Sequence, residues 1–275
     1  MRISFEFFPP RAEGGMESLG RVVDRLAAFS PEFYSVTYGA GGSTRDGTLD
    51  TIRYLCGKSM NAAPHLSIGG DTPEQTAALL DAYDEMGVTR VVALRGDLPS
   101  GLGRSRFATN AEALVRRIRK HNGEHFHLEV AAYPEVHPDA TSPESDLEFF
   151  RRKVQAGANS AITQYFYNAP AYYDFVARAR AAGITVPIFP GIMPITNFEG
   201  IVRFSGNCGA DVPRWIHKRL ESLQHDKGAL KAFGIEVVTR MCEDLLANGA
   251  PGLHFYTLNR WGATSRICEN LGLGA

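Results

Sequence analysis

The sequence predicts an α/β protein, a single (β/α)8 barrel spanning residues 1–275, on three observations. Short runs rich in β-branched and aromatic residues alternate with longer stretches at helical spacing. Eight such pairs follow one another without a long irregular gap. No linker-like stretch divides the chain, and a 44% apolar composition supplies one large core. Together these favour a closed barrel over an open doubly wound sheet. No sequence repeat marks the units, so the count rests on pattern alone.

Residues 3–7 read as the first strand, ended by Pro9-Pro10; Leu19, Val22, Val23, Leu26 and Ala27 then stand at helical spacing over 16–28. Residues 33–37 are the second strand, followed by a Gly39-Ala40-Gly41-Gly42 loop, read as a mobile lid, and a helix over 48–56. The third strand is 62–66, and Thr72 ahead of Pro73-Glu74-Gln75 is a good N-cap for a helix reaching 86. Val91 to Leu94 forms the fourth strand, which breaks into Arg95-Gly96-Asp97 before Pro99 and so delivers charge at its C-terminal end. A helix over 110–121 follows. The fifth strand is 128–132, with Ser142-Pro143-Glu144 opening a helix to 156, and the sixth is 160–163, followed by a helix over 171–182. The seventh, 186–189, is broken by Pro190-Gly191 and leads to helical segments over 197–204, 213–223 and 229–248. The eighth is 252–255, and a helix over 265–271 follows it.

A formal charge of -1 gives no global field to recruit nucleic acid or a membrane surface, so the expected partner is a small molecule in a local pocket. Cys56, Cys208, Cys242 and Cys268 lie far apart without metal-ligand spacing and read as buried thiols in a reducing compartment. No basic-then-apolar leader opens the sequence and no run of 18 apolar residues occurs in it, so a soluble cytoplasmic protein is expected.

In such a barrel the site lies at the C-terminal ends of the strands. Those ends carry Glu6, Thr37, Tyr38, His65, Arg95, Asp97, Tyr133, Glu135, His137, Gln164, Tyr256, Asn259 and Arg260. Ordinary loops favour Ser, Lys, Asn and Glu, whereas this set is rich in aromatics, His and Arg, as suits a large, flat, polar-edged ligand. Side-chain alternation turns Ile3, Phe5 and Phe7 towards the helices, and Ser4, Glu6 and Phe8 into the barrel. A carboxylate there is partly desolvated, which favours its neutral form and suits a general acid; the competing reading is a structural pair with Arg95. Gly96 allows a close backbone approach or a positive φ. His65 is equally a histidine satisfied by backbone or a ligand contact. Asp146, Arg152 and Lys153, on the helix after the fifth strand, read as a solvated face, since Asp146 and Arg152 are not spaced for an i, i+4 pair.

Other chemistries fit less well. The glycine loop lacks the third glycine of a dinucleotide fingerprint. His125-x-His127 precedes the fifth strand, at the wrong end for a catalytic metal, and no lysine ends a strand to form a Schiff base.

Seven segments carry a resemblance: Ser4-Phe5-Glu6-Phe7-Phe8-Pro9-Pro10, Ser35-Val36-Thr37-Tyr38-Gly39, Ala63-Pro64-His65-Leu66, Ala93-Leu94-Arg95-Gly96-Asp97, Ala132-Tyr133-Pro134-Glu135-Val136-His137-Pro138, Ala161-Ile162-Thr163-Gln164 and His254-Phe255-Tyr256-Thr257-Leu258-Asn259-Arg260. In this order, over nearly the full length, the chain resembles the methylenetetrahydrofolate reductases of the bacterial, catalytic-domain-only type. The resemblance implies non-covalent FAD in a (β/α)8 barrel, and reduction of 5,10-methylenetetrahydrofolate to 5-methyltetrahydrofolate with NADH or NADPH. It implies a place in one-carbon metabolism and methionine biosynthesis, and a homo-oligomer. Glu6 matches the general acid that opens the folate ring to an iminium cation, and Asp97 the fixed anion near the flavin. Hydride then passes from flavin N5, with folate and nicotinamide taking turns in ping-pong fashion. Thr37, His65, Arg95, Gly96, Asp97, Tyr133, His137, Asp146, Arg152 and Lys153 match FAD positions, the last two suited to the pyrophosphate, which displaces the solvated-face reading. Gln164, Phe204, Tyr256 and Arg260 match the folate or nucleotide surroundings.

Phe149 stands where many relatives have Asn, Gly200 where a Gln contacts folate or nucleotide, and Phe107 where a Tyr is usual; the helix that usually precedes the first strand is lacking. These departures leave the electron donor open, a non-nicotinamide donor or partner protein included. The rivals are a non-flavin lyase or metal-dependent hydrolase using Glu6, His65 and Asp97, and a folate- or flavin-binding protein without turnover.

Overall fold

The computed structural model describes residues 1–38, 45–67, 72–96 and 111–274. Eight parallel strands close into a barrel in chain order: β1 (Arg2–Phe7), β2 (Phe33–Val36), β3 (Ala62–Ser67), β4 (Arg90–Leu94), β5 (His127–Ala132), β6 (Ser160–Tyr165), β7 (Ile188–Ile192) and β8 (Gly252–Tyr256). Closure is made by β8 pairing with β1, from Arg2↔Gly252 to Glu6↔Tyr256. The helices are α1 (Gly15–Ala27), α2 (Arg45–Gly57), α3 (Pro73–Glu85), α4 (Ala111–Asn122), α5 (Pro143–Gln155), α6 (Ala169–Ala181), α7 (Phe198–Cys208), α8 (Arg214–Leu223), α9 (Lys227–Ala247) and α10 (Gly262–Asn270). Among the described residues no helix is long and apolar enough to cross a membrane.

The local signals work as expected at α3. Thr72 Oγ1 accepts from the Gln75 amide at 3.2 Å, and Gln75 Oε1 accepts from the Thr72 amide at 2.8 Å, a reciprocal capping box. The seventh strand differs from expectation: it begins at Ile188 and runs through Pro190 and Gly191 instead of breaking there. The register shifts between Ile162 and Tyr165, and the Gly191 amide donates to the Thr163 hydroxyl at 2.9 Å. A side chain thus satisfies the backbone group that an irregular ladder leaves over. The thiols also differ: Cys242 and Cys268 are buried, but Cys56 and Cys208 only partly.

Alternation along the strands sorts side chains as predicted. Ile3, Phe5 and Phe7 join the apolar layer between sheet and helices, while Phe33, Ala63, Val92 and Ile162 form a separate cluster inside the barrel. The N-terminal end of the barrel is closed by charge. Glu32 pairs with Arg2 at 2.7 Å and with Arg90, whose guanidinium also grips Glu129 and lies 4.4 Å over the Phe33 ring. His127 donates its ring to this end as well, 2.6 Å from Ser160 Oγ and 3.4 Å from Glu129. These side chains fill that end, and the C-terminal rim is where a barrel of this kind places its site.

Candidate active site

Glu6 and Tyr256 are register partners on adjacent strands, and both turn inward at the rim. Glu6 Oε2 lies 3.3 Å from His65 Nε2, delivered by β3, and 3.5 Å from His254 Nε2, delivered by β8. His254 Nδ1 in turn lies 2.7 Å from Ser4 Oγ. Burial pushes the Glu6 carboxyl towards its neutral form, but the two imidazoles outweigh it and bring its pKa down to about 2. Glu6 is therefore ionised at neutral pH, against the sequence expectation. Desolvation alone could be read from one strand; the opposing rings come from distant segments. The alternative pair with Arg95 does not form, since Arg95 bridges Asp139 at 2.9 Å.

The segment after β8 locks this strand end. Thr257 Oγ1 donates to the Glu6 carbonyl at 2.6 Å. Asn259 accepts from the Phe8 amide at 3.0 Å and donates to the Phe8 carbonyl at 2.8 Å. Leu258 and Asn259 hold left-handed φ values of 51° and 54°, a local cost that these bonds offset.

Across the rim, Tyr256 OH donates to the Thr163 carbonyl at 2.7 Å, passing over Gly191. A Cβ on Gly191 would sit 2.1 Å from the Thr163 carbonyl and 2.6 Å from the Tyr256 ring, so β7 offers no side chain here. Gly191→Ala is expected to cost about 1–3 kcal/mol of stability through overpacking, read as a lower urea midpoint with unchanged m-value. Gln164 is half-buried on β6, its side-chain oxygen accepting from the Tyr165 amide at 3.0 Å.

A second group gathers where β2 to β5 end. Gly96 takes φ 83°, and a Cβ there would meet Ser67 Oγ at 1.8 Å, so only glycine fits. The Tyr133 ring stands edge-on to His137 at 4.5 Å. His137 Nδ1 accepts from the Asp139 amide at 2.9 Å, which places the proton of the neutral ring on Nε2. Burial, then Arg95, lowers the His137 pKa and keeps that ring neutral. The Asp146 carboxylate accepts from the His137 amide at 3.0 Å, and Lys153 Nζ donates to the Ala131 carbonyl. Burial brings the Lys153 amine down to about 8. Among the described residues, Thr37 Oγ1 is buried without a hydrogen-bond partner.

The solvated-face reading of α5 thus holds for one residue of three. Arg152 is exposed and pairs with Glu148 at 3.0 Å, an i, i+4 bond that comparison with Asp146 alone overlooked. Asp146 and Lys153 turn inward. Phe204 is exposed on α7 beside Ser205, whose hydroxyl lies 3.1 Å from Tyr165 OH; Arg260 is exposed beyond β8. Asp97, the Gly39–Gly42 loop and Phe107 lie outside the described residues.

The family model for methylenetetrahydrofolate reductase matches residues 1–272. The chain belongs to this family. It is 38% identical to the 5,10-methylenetetrahydrofolate reductase of Escherichia coli strain K12, over 99% of this chain and 91% of that one. It is 40% identical to methylenetetrahydrofolate reductase (NADH) 1 of Arabidopsis thaliana, over 98% of this chain and 48% of the longer plant protein. Among solved structures, a Clostridium thermocellum protein that binds two copies of 5-methyl-5,6,7,8-tetrahydrofolic acid shares the fold. Its TM-score is 0.67 at 17% identity, covering 98% of this chain and 93% of that one.

This member of the methylenetetrahydrofolate reductase family is an oxidoreductase. Its unusual residues have local explanations. Phe149 is exposed with Arg152 5.6 Å from its ring. Gly200 donates its amide to the capping Asn197 side chain at 2.6 Å, and a Cβ there would come within 3.0 Å of that oxygen. Ser4 and His254 were not singled out as site residues from the sequence, although each lies two residues before an inward-facing one, Glu6 and Tyr256; the strand period alone marks them.

Proposed function

We propose that this protein reduces 5,10-methylenetetrahydrofolate to 5-methyltetrahydrofolate with FAD as cofactor and NADH or NADPH as electron donor. The observation that carries the reading is the carboxylate of Glu6, 17% exposed at the C-terminal end of β1, flanked by two imidazoles and hydrogen-bonded to that of His254. The names of the bacterial and plant relatives support the reaction, and the plant names favour NADH. Residues 1–275 would act as one catalytic domain in a homo-oligomeric, cytoplasmic enzyme.

The residues present fit FAD on grounds of chemistry. The orphaned Thr37 hydroxyl needs a polar ligand atom, and His137 Nε2–H is a donor held in one tautomer. Arg95, Arg152 and Lys153 supply cations for the pyrophosphate, while Tyr133, His65, Gly96 and Asp146 shape and orient that wall. When bound, FAD carries the hydride between donor and folate. Glu6 manages the proton: it must hold one to assist opening of the folate ring, then regain one for the next cycle. Asp97 is proposed as the fixed anion that stabilises the cationic folate. Gln164, Phe204, Tyr256 and Arg260 are proposed to hold the folate and the donor in turn.

The first test is the colour of the purified protein. A yellow protein that oxidises NADH or NADPH with menadione in the absence of folate fits the reading. A colourless protein with bound metal overturns it and favours the lyase or hydrolase alternative.

A further inference from the structure

Ser4, His254 and Glu6 form a chain across the β1–β8 seam. Ser4 and His254 are register partners, as are Glu6 and Tyr256, so two neighbouring strands fix all three side chains. His254 is fully buried, stacked on Phe33 at 6.0 Å and edge-on to Tyr256 at 5.2 Å. An ionised carboxylate only accepts hydrogen bonds, so Nε2 of His254 donates to Glu6 and Nδ1 is left to Ser4. A hydroxyl can act either way. It donates to Nδ1 of a neutral ring and accepts from Nδ1–H of an imidazolium. The ring can therefore change protonation while every buried polar atom in the chain keeps its partner.

We infer that His254, held by Ser4, is a positioning residue that aims the Glu6 carboxylate and stores the proton Glu6 delivers to the folate. This rests on the function proposed above. Only Glu6 in the chain faces the mouth, with 17% of its side chain exposed against 0% for His254, so the proton enters through Glu6 before substrate covers the rim. It waits as an imidazolium beside a carboxylate. When bound substrate excludes water, the separated charges lose solvation and the neutral pair gains. The Nε2–H bond of His254 breaks, an O–H bond forms on Glu6, and both charges disappear. The Ser4 hydroxyl rotates from acceptor to donor. Among the described residues, the charged or titratable groups facing the pair are Glu6 itself on β1, His65 on β3 and Tyr256 on β8. The facing residues of β2 and β7, Phe33, Ser35 and Gly191, bring no charge.

The test replaces the store with a side chain of similar reach that cannot carry a proton, His254→Gln. Reoxidation of the reduced enzyme by methylenetetrahydrofolate is followed across pH. The variant is expected to slow by about 30-fold at pH 8 and to recover as the pH is lowered, by up to about tenfold per unit, because Glu6 must then take its proton from solvent, directly or by way of His65. Wild type is expected to change less than the variant over that range. A variant slowed equally at every pH, or with the wild-type profile, overturns the inference. Infrared titration of the ligand-free protein gives a second readout. The protonated-carboxyl band of Glu6, assigned by its loss in Glu6→Gln, should emerge at higher pH in His254→Gln than in wild type; an unchanged midpoint overturns the coupling. Ser4→Ala should move both readouts the same way by less, and it decides the matter if His254→Gln does not fold. If wild type binds no flavin, the function reading fails while the infrared titration still decides this inference.

Discussion

Glu6→Gln is expected to leave reduction of the flavoenzyme by NADH or NADPH within about twofold of wild type and to slow reoxidation by methylenetetrahydrofolate by about 10³-fold. The amide has the shape of the carboxyl and keeps one acceptor oxygen for the imidazoles 3.3 and 3.5 Å away, so the rim should stay assembled. It cannot give up an acidic proton. Hydride arrival from the donor needs none, whereas opening the bridged folate does, and the two half-reactions should separate. Anaerobic stopped-flow at the flavin band reads each in turn. Survival of both removes Glu6 as proton donor.

The largest expected effect on stability lies at the opposite end of the barrel. Glu129 is fully buried and gripped by Arg90, which is itself shared with Glu32. Burial alone would raise the Glu129 pKa, but His127, Arg90 and Ser160 more than reverse that and lower it. Glu129→Ala leaves the Arg90 charge short of a buried partner and should cost about 3–5 kcal/mol in urea unfolding. Replacing both residues by apolar side chains of similar volume should cost far less, because the unpaired charge goes with the pair. The sign with pH follows. A carboxyl whose folded pKa is lowered stabilises fully above its ordinary value of 4.5 and loses that contribution as pH falls through the folded value, about 2 for Glu6. Wild-type stability should therefore decline between pH 4.5 and 2, and Glu129→Gln should lose less over that interval. An identical acid profile in that variant would show that Glu129 carries none of the dependence.

Much of the architecture was legible in the sequence because its signals are local. Periodicity gave eight strand-helix pairs, the Thr72 cap lay in four consecutive residues, and alternation put Ser4 and Glu6 inside. The larger failures are non-local. Pro190-Gly191 reads as a strand break until the Thr163 hydroxyl is seen to take the Gly191 amide. Glu6 reads as a neutral acid until His65 and His254 are brought against it. On α5 the period separates Arg152, bonded to Glu148, from Lys153, whose amine reaches the Ala131 carbonyl, yet residue type alone calls both solvated. The strand-end list found residues at the rim and missed His254, which lies one inward position below it.

The site around Glu6 is proposed to pass electrons from a nicotinamide nucleotide to a folate, with FAD as the carrier. Its most direct test is wild-type protein reduced anaerobically by NADH or NADPH, freed of nucleotide, and mixed with methylenetetrahydrofolate. Full return of the oxidised flavin spectrum is expected, with one 5-methyltetrahydrofolate formed per flavin. Reduced flavin that persists in the presence of that folate would contradict it.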